Sequence, residues 1–294
     1  MPLISMVREL KKAQTGGYAV PCFDTFDMMG TAGIIAALEA RRAPGIIGLY
    51  TRWMEQREGR AFVQLVRAMA EDATVPVSLV LDHGASFEHC VKALALGFSD
   101  VMYDGSKLPL DENIAQTKLI VRAAHALGAG VEAELGHVGS GHNYQSFGAL
   151  GIGFTEPTAA ERFVAETGVD ALAIAIGTAH GQYQGEPRLA LDLLAEIRAR
   201  VAIPLVLHGG SGLTAPQFRS AIEGGVAKIN IFTDLAIEAR DRLTAEAGRE
   251  DATLLSLLAQ VREGFQHQCE RHIDMFSAAG KAIVDHNSQS GAEG

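Results

Sequence analysis

Three stretches decide the fold of this chain: VSLVLDHG (77–84), ALAIAIGTAHG (171–181) and IPLVLHGGSG (203–212). Each is an apolar run that predicts a buried strand, and each leads to a histidine followed at once by glycine. The three histidines are His83, His180 and His208. They converge only if the strands are parallel neighbours whose carboxyl ends point the same way. A single strand-end histidine is usually structural, but three imidazoles with an open fourth position are typical of catalytic zinc.

Further apolar runs of the same kind recur along the chain. Together they predict eight strands at 18–23, 45–50, 77–82, 100–104, 131–135, 171–176, 204–208 and 228–232. The segments between them are rich in Ala, Glu, Arg and Leu at helical spacing. Eight βα units predict an α/β fold, a (β/α)8 TIM barrel. A doubly wound sheet is the alternative, and the barrel is favoured because functional residue types follow nearly every strand, as in a ring of loops.

The composition limits the possible partners and compartment. The chain has 294 residues, 48% of them hydrophobic, and a net charge of −10. This charge argues against binding to nucleic acid or to an anionic membrane. The three cysteines form no CxxC pair, and the N-terminus lacks a signal-peptide pattern, so a reduced cytoplasmic location is expected. No apolar stretch is long enough to span a membrane.

The chain is expected to form one barrel domain over residues 1–286. Helices are predicted at 234–247 and 254–279, and the second is an additional C-terminal helix that packs on the barrel or on a partner subunit. The tail 287–294 is expected to be disordered. The longest loop, 136–154, is rich in glycine and polar residues and is expected to be mobile and functional.

Asp82 directly precedes the first of the three histidines. Adjacent strand residues face opposite ways, but twist at a strand end can bring both side chains to the mouth of a barrel. An acid beside a metal ligand is a candidate for proton transfer. The alternative is a carboxylate that only orients the histidine, and the sequence favours catalysis.

Further carboxylates point toward the same mouth. Glu132 and Glu134 lie two residues apart on one predicted strand and so face one side, while Asp104 ends the strand before it. Carboxylates in a barrel mouth are unfavourable unless they meet cations. Asp104 and Glu134 therefore form either a second cation position near His83 or a hydrogen-bonded structural network, and the sequence leaves both open.

The last two predicted strands lead into an anion site. HGGSG (208–212) and NIFTD (230–234) follow them, and Gly181 lies nearby. Glycines let backbone N–H groups approach a phosphate closely, and the loops after strands seven and eight are the usual phosphate site of this barrel.

One histidine–cysteine cluster is set aside. His267, Cys269 and His272 lie in a predicted helix, but their spacings do not place them on one helix face. They are predicted to be ordinary surface and packing residues.

Six motifs together carry a family resemblance. They are LDHG (81–84), VMYDGSKLPLDENI (101–114), VEAELG (131–136), AIGTAHGQY (175–183), PLVLHGGSGL (204–213) and KINIFTD (228–234). Over nearly its whole length the sequence resembles the class II, zinc-dependent ketose-bisphosphate aldolases. The resemblance implies reversible cleavage of a ketose phosphate to dihydroxyacetone phosphate and an aldehyde. The C-terminal helix and the resemblance also suggest a homodimer or homotetramer.

The resemblance assigns roles to individual residues. His83, His180 and His208 match the zinc ligands, and Asp82 matches the acid/base that handles the aldehyde-derived oxygen. Asp104 and Glu134 match an accessory cation site, for Na⁺ or K⁺. The residues that match the dihydroxyacetone phosphate site are Gly181, Gly209, Gly210, Ser211, Asn230, Ile231, Phe232 and Thr233.

The sequence departs from this family on the aldehyde side. His142 stands where the family has a loop glutamate that transfers a proton; it is either the replacement base, since histidine titrates near neutrality, or a solvated loop residue. The family's distal-phosphate arginine is missing, with Thr253 at the best-matching position, and threonine does not replace a bidentate arginine.

Three smaller sequence differences from the family also fall around the aldehyde side of the predicted site. Asp24 replaces an asparagine after the first strand, Tyr50 replaces a serine after the second, and Val80 replaces a histidine before LDH. Arg52 is either a cation that meets an acidic aldehyde or a surface arginine.

Three functions remain open at this point. The first is an aldolase that uses dihydroxyacetone phosphate with an aldehyde other than glyceraldehyde 3-phosphate, unphosphorylated or carboxylated. The second is a fructose- or tagatose-1,6-bisphosphate aldolase with a compensating phosphate contact from Arg249 or Arg262. The third is a non-catalytic sugar-phosphate sensor, against which the intact Asp82 argues.

Overall fold

The structure, a computed structural model, describes residues 3–142, 151 and 153–282. The strands in these ranges are β1 (Val20–Asp24), β2 (Gly45–Tyr50), β3 (Val77–Gly84), β4 (Asp100–Tyr103), β5 (Gly130–Leu135), β6 (Gly139–Ser140), β7 (Ala171–Ile174), β8 (Ala179–His180), β9 (Leu205–Leu207) and β10 (Val226–Ile231).

Helices precede, alternate with and follow these strands. They are α1 (Met6–Gly16), α2 (Met28–Arg41), α3 (Thr51–Glu55), α4 (Gly59–Glu71), α5 (Phe87–Leu96), α6 (Leu110–Ala126), α7 (Pro157–Thr167), α8 (Leu191–Arg200), α9 (Ala215–Glu223), α10 (Thr233–Ala247) and α11 (Leu254–Met275). None of the helices in the described ranges is long and apolar enough to cross a bilayer.

Eight parallel strands close into a barrel. Their order is β1–β2–β3–β4–β5–β7–β9–β10, and β10 pairs with β1 to close the ring. The remaining strands, β6 and β8, form a separate two-stranded ribbon above it. The predicted (β/α)8 barrel and all eight predicted strands are confirmed. The pairing of β10 with β1 excludes the doubly wound sheet, because an open sheet would leave its two edge strands unpaired.

The additional C-terminal helix is also confirmed, and it packs on its own barrel. Gly33 of α2 lets α11 approach closely, since a Cβ built there would lie 2.5 Å from the Arg262 carbonyl oxygen. At the far end, Arg41 of α2 forms ion pairs with Glu270 and Asp274 of α11. The predicted tail 287–294, and residues 143–150 and 152 of the predicted mobile loop 136–154, lie outside the described residues.

The amino-terminal end of the barrel is held by one buried carboxylate. Asp100, at the start of β4, accepts hydrogen bonds from the backbone N–H groups of Met6 (2.9 Å) and Gly130 (2.9 Å). It also accepts from the hydroxyls of Ser5 and Ser99. Asp100 therefore joins α1, β4 and β5 at the end of the barrel where residues serve stability rather than chemistry.

Replacing Asp100 with alanine is expected to lower the free energy of unfolding by about 3 kcal/mol or more, because two buried N–H groups lose their acceptor. Urea denaturation of the purified protein measures this. Asp241→Ala is the matched control, since its side chain is 60% exposed and pairs only at the surface; its effect should stay within about 0.5 kcal/mol. Equal effects for the two variants would contradict the assigned role of Asp100.

Candidate metal centre and active site

The three histidines meet at the carboxyl ends of the barrel strands. The ring nitrogens of His83, His180 and His208 lie within 4.8 Å of one another. The rings of His83 and His208 have centroids 4.8 Å apart, and those of His83 and His180 are 5.0 Å apart. The cluster lines a cavity of about 460 Å³.

His83 reaches the cluster through an irregularity in β3. The pairing register between β3 and β4 shifts between Leu81 and Gly84, and His83 has a φ of 49° in the left-handed region. An extra residue in one strand re-aims its side chains, and a non-glycine residue in this region is uncommon and typical of functional sites. Asp82 and His83 therefore both line the cavity although they are adjacent.

The position of His180 differs from the sequence prediction. It was expected at the end of a barrel strand, but β7 ends at Ile174 and His180 lies on β8 of the small ribbon. Gly177 turns the chain out of the barrel at a φ of 111°, and a Cβ there would lie 2.2 Å from the Arg188 carbonyl oxygen. The apolar run ALAIAI (171–176) gives no sign of this turn, because its apolar residues continue beyond Ile174, where β7 ends.

Carboxylates orient two of the three rings. His83 Nδ1 lies 3.1 Å from Asp104 Oδ2, and His208 Nε2 lies 2.8 Å from Glu132 Oε1. In turn, the ammonium of Lys228 lies 3.0 Å and 2.8 Å from the two oxygens of Glu132. Such partners fix which ring nitrogen carries the proton and which faces a metal ion.

The electrostatics of the cluster favour a cation. Burial lowers the pKa of His180 to about 3, and the neighbouring His83 and His208 act in the same direction; burial also lowers the pKa of His208. These two rings are neutral, as metal ligands must be. Burial opposes charge on His83 too, but Asp82, Asp104 and Glu134 outweigh it and raise its pKa to about 10.

The residues present fit a zinc ion. His180 Nε2 is buried and has no hydrogen-bond partner within the described part of the chain, and a buried polar nitrogen without a partner is unfavourable unless something binds it. Three converging imidazoles suit a zinc site, and carboxylates hold the outer nitrogens of two of them, His83 and His208, as is usual for metal-binding histidines. His83, His180 and His208 would hold the ion.

A second group of possible ligands adjoins the first. His83, Asp104 and Glu134 also place ligand atoms within 4.8 Å of one another. Glu134 is buried, its Oε2 has no partner among the described residues, and burial together with the Asp104 charge raises its pKa to about 8. Asp104 accepts from the Ser106 N–H and hydroxyl as well. These contacts fit both interpretations that the sequence left open for Asp104 and Glu134, namely a weak cation position and a hydrogen-bonded structural network.

Asp82 faces the cavity beside the metal ligands. Its Oδ1 accepts a hydrogen bond from Asn230 Nδ2 (3.1 Å), and its Oδ2 lies 3.9 Å from His83 Nε2. Asp24 lies next to it, and burial followed by the Asp82 charge raises the pKa of Asp24 well above its usual range. Burial therefore favours the protonated form of Asp24, while Asp82, which lines the cavity beside the three histidines, is the candidate for proton transfer.

The predicted anion site lies on the opposite side of the cavity. Gly181, Gly209, Ser211, Asn230, Phe232 and Thr233 line it. Gly209 has a φ of 67°, and a Cβ there would lie 2.4 Å from the Ala179 carbonyl oxygen, so the loop requires glycine. The Tyr183 hydroxyl accepts from the Ala179 N–H (2.9 Å) and donates to the Gly209 carbonyl (2.7 Å), which braces this loop.

Two residues assigned to the phosphate site are not among the cavity-lining residues. The N–H of Gly210 donates to the Asn230 carbonyl, and the Ile231 side chain is fully buried in the core. The N–H of Gly212 donates to Asp234. Within the described ranges, the N–H groups of Gly209 and Ser211 donate to no backbone acceptor. The Ser211 hydroxyl accepts from the Asp234 N–H (3.2 Å) in the first turn of α10, and the N-terminus of a helix favours an anion.

The remaining wall is aromatic and basic. Tyr50, Arg52, Trp53 and Lys107 line it together with Asp24. The Arg52 guanidinium carbon lies 4.5 Å above the Trp53 ring and 5.8 Å from the Tyr50 ring. The Tyr50 ring is 5.9 Å from that of His83. All three residues predicted for the aldehyde side therefore face the cavity.

Other predicted residues lie elsewhere. His142 is exposed and is not among the residues that line the cavity, and 143–150, which follow it, lie outside the described residues. Thr253 caps α11 by accepting from the Ser256 N–H. Arg249 forms ion pairs with Glu246 and Asp251, and neither it nor Arg262 lines the cavity.

The histidine–cysteine cluster of α11 is structural, as predicted. His267 contacts Glu238, Cys269 is buried, and His272 contacts the Gln268 carbonyl and Asp234.

Sequence reasoning missed four residues of the site. Lys228 is fully buried beneath the cluster, and Trp53, Lys107 and His137 line the cavity. Lys228 was detectable, because it lies two residues before Asn230 on one strand and therefore shares its inward face. A lysine inside a barrel must have a carboxylate partner. Trp53, Lys107 and His137 lie on loops and on a short helix, where periodicity carries no signal.

Comparison with known proteins agrees with the geometry. The family model for class-II fructose-bisphosphate aldolase matches residues 4–281. A fructose-bisphosphate aldolase of Geobacillus stearothermophilus is 42% identical over 237 residues, which cover 80% of this chain and 82% of that protein. A 6-phospho-5-dehydro-2-deoxy-D-gluconate aldolase of Shouchella clausii is 40% identical over 290 residues, covering 96% and 97%.

A solved structure is similar over the same length. The YdjI aldolase of Escherichia coli K12 superposes with a TM-score of 0.86 at 33% identity, covering 96% of this chain and 100% of that one. The fold, the motifs and the relatives agree on the type of chemistry, the cleavage of a carbon–carbon bond in a sugar phosphate. The chain therefore belongs to the class II fructose-bisphosphate aldolase family and is a lyase of the aldolase type.

Proposed function

We propose that this protein is a zinc-dependent aldolase that cleaves a ketose phosphate reversibly to dihydroxyacetone phosphate and an aldehyde other than glyceraldehyde 3-phosphate. The cluster of His83, His180 and His208, with the buried unpartnered nitrogen of His180, carries the proposal. When bound, a divalent ion at this cluster polarises the substrate carbonyl and stabilises the enediolate that forms on cleavage. Asp104 and Glu134 would hold the accessory monovalent cation.

The chain's own groups divide the remaining work. The free N–H groups of Gly209 and Ser211 and the N-terminus of α10 bind the phosphate and hold the three-carbon half in place. Asp82 accepts the proton of the C4 hydroxyl as the C3–C4 bond breaks, so that the aldehyde leaves. Asn230 holds Asp82 in position. His142 is the predicted donor of the proton that C3 then takes up, and this role stays a prediction.

The aldehyde half of the site supports an altered second substrate. Thr253 serves as a helix cap where the family has its distal-phosphate arginine, and Tyr50, Arg52 and Trp53 form a wall of different chemistry. One relative is named for a phosphorylated gluconate, a sugar acid, so sugars other than fructose 1,6-bisphosphate occur among similar proteins.

The alternative is an ordinary fructose- or tagatose-1,6-bisphosphate aldolase. The name of the Geobacillus relative favours it. In its favour, too, the cavity holds two basic side chains, Arg52 and Lys107, at the aldehyde end.

For the assembly we propose a homodimer or homotetramer. Leu254 and Leu255 at the start of α11 support this proposal, since they are 70% and 80% exposed.

Cleavage of fructose 1-phosphate and fructose 1,6-bisphosphate, with zinc and with chelator, tests the function. We expect chelator to abolish the release of dihydroxyacetone phosphate, and the bisphosphate to give no advantage over the monophosphate in kcat/KM. Coupled reduction of dihydroxyacetone phosphate measures both. Efficient turnover of the bisphosphate would support the alternative, and turnover that resists chelator would contradict the zinc assignment.

Asp82→Asn should separate cleavage from the handling of dihydroxyacetone phosphate. An amide cannot accept the C4 hydroxyl proton, so kcat for cleavage is expected to fall by about 10²–10⁴-fold. Proton exchange at C3 of dihydroxyacetone phosphate, measured by NMR in D₂O, should fall much less. Asp111→Asn, at an exposed position, is the control. Equal loss of both activities in Asp82→Asn would contradict the assigned role.

Lys228 is expected to act as a positioning residue for zinc binding. The ion pair with Lys228 lowers the Glu132 pKa to about 2 against the effect of burial. In Lys228→Met, Glu132 loses this ion pair and no longer holds the His208 proton firmly. Zinc affinity, measured by competition with a chromogenic chelator, should fall by about 10–100-fold. The double variant Glu132→Gln, Lys228→Met leaves no unpaired charge and guards against misfolding. Wild-type affinity in the folded double variant would overturn this role.

A further inference from the structure

Two basic side chains at the mouth of the cavity have no acidic partner. Arg52 and Lys107 both line the cavity, and among the described residues no carboxylate lies within ion-pair distance of either one. Elsewhere in the described ranges, surface arginines such as Arg162 and Arg249 pair with carboxylates. In a protein with a net charge of −10, unpaired cations at an active site indicate an anionic ligand.

The barrel places these cations around the reacting groups. β3 carries Asp82 and His83, and its two neighbours in the ring are β2 and β4. Arg52 follows β2 and Lys107 follows β4, so the cations flank the catalytic strand. In the ring of eight, β3 is diametrically opposite β9, after which the phosphate-binding loop with Gly209 begins. A substrate held by its phosphate at β9 therefore extends across the metal cluster toward Arg52 and Lys107.

The Arg52 guanidinium lies against two aromatic rings. It lies 4.5 Å above the Trp53 ring and 5.8 Å from the Tyr50 ring, and Phe26 stacks on Trp53 from a centroid distance of 5.7 Å. Stacking on aromatic faces leaves the N–H groups at the edge of the guanidinium free to donate in its own plane. Two parallel N–H groups in one plane match the two oxygens of a carboxylate.

Other features favour a carboxylate over a phosphate at this end. The donors here are side chains, and the glycines that line the cavity, Gly181 and Gly209, both belong to the opposite half. A phosphate dianion would also meet stronger repulsion from Asp82 and Asp104, which line the same cavity, whereas a carboxylate carries a single negative charge.

We infer that Arg52, supported by Lys107, forms a carboxylate-binding subsite, so that the aldehyde released by this enzyme is an aldehyde acid and its ketose phosphate is a sugar acid. The inference rests on the proposed aldolase function and names the class of its second substrate. In the condensation direction, C3 of dihydroxyacetone phosphate loses its proton and bonds to the aldehyde carbon, and the aldehyde oxygen takes up a proton, so atoms and electrons balance.

Matched aldehydes test the subsite in the condensation direction. With dihydroxyacetone phosphate constant, kcat/KM is measured for 4-oxobutanoate, for the neutral 4-oxobutanamide and for glyceraldehyde 3-phosphate. The wild type should prefer the carboxylate over the amide by about 10-fold or more, and this ratio should fall by about 10–100-fold in Arg52→Met, the range for a lost charge-assisted hydrogen bond. Arg57→Met, an exposed arginine outside the cavity, should keep the wild-type ratio.

Three results would overturn the subsite. They are a wild-type ratio near one, an unchanged ratio in Arg52→Met, and better use of glyceraldehyde 3-phosphate than of 4-oxobutanoate. Chelator-sensitive proton exchange at C3 of dihydroxyacetone phosphate is measured in parallel and needs no aldehyde. If exchange occurs without a carboxylate preference, only the subsite fails; if exchange itself is absent, the aldolase function fails and the subsite falls with it.

Discussion

The buried ion pair between Lys228 and Glu132 is the interaction on which the active site depends. Both side chains are fully buried inside the barrel, where either charge alone would be strongly unfavourable. Together they raise the Lys228 pKa above its usual range and lower that of Glu132, in each case against the effect of burial. The ionised Glu132 can then hold His208, one of the three histidines that could bind a metal ion.

A second constraint is the shape of β3. A regular strand would send Asp82 and His83 to opposite faces, and one of them would be lost to the layer of helices. The register shift and the left-handed φ of His83 bring both into the cavity. The strain of that conformation is tolerated because β3 is paired on both sides by β2 and β4, and its effect is to set an acid next to a metal ligand.

The cavity combines two halves of different chemistry. On the β9 and β10 side, backbone N–H groups and a helix N-terminus suit a phosphate. There the Tyr183 hydroxyl links the Ala179 N–H to the Gly209 carbonyl. On the β2 and β4 side, the contacts come from the side chains of Tyr50, Arg52, Trp53 and Lys107. The fold itself supplies the backbone donors, whatever the side chains are. Side chains on the rim, in contrast, can be replaced without altering the fold. Under the proposed function, the architecture itself would recognise one half of the substrate, and replaceable side chains on the rim would recognise the other.

The sequence by itself determined the barrel and its eight strands, and it singled out the three histidines and the loops proposed to bind phosphate, because buried apolar runs and strand-end polar residues are local signals. Two features were decided only by the tertiary structure. The chain leaves the barrel at Gly177 and returns on a ribbon to present His180, and Lys228 meets Glu132 across 96 residues of sequence. Each depends on which segments become neighbours when the ring closes, and no local pattern contains that information.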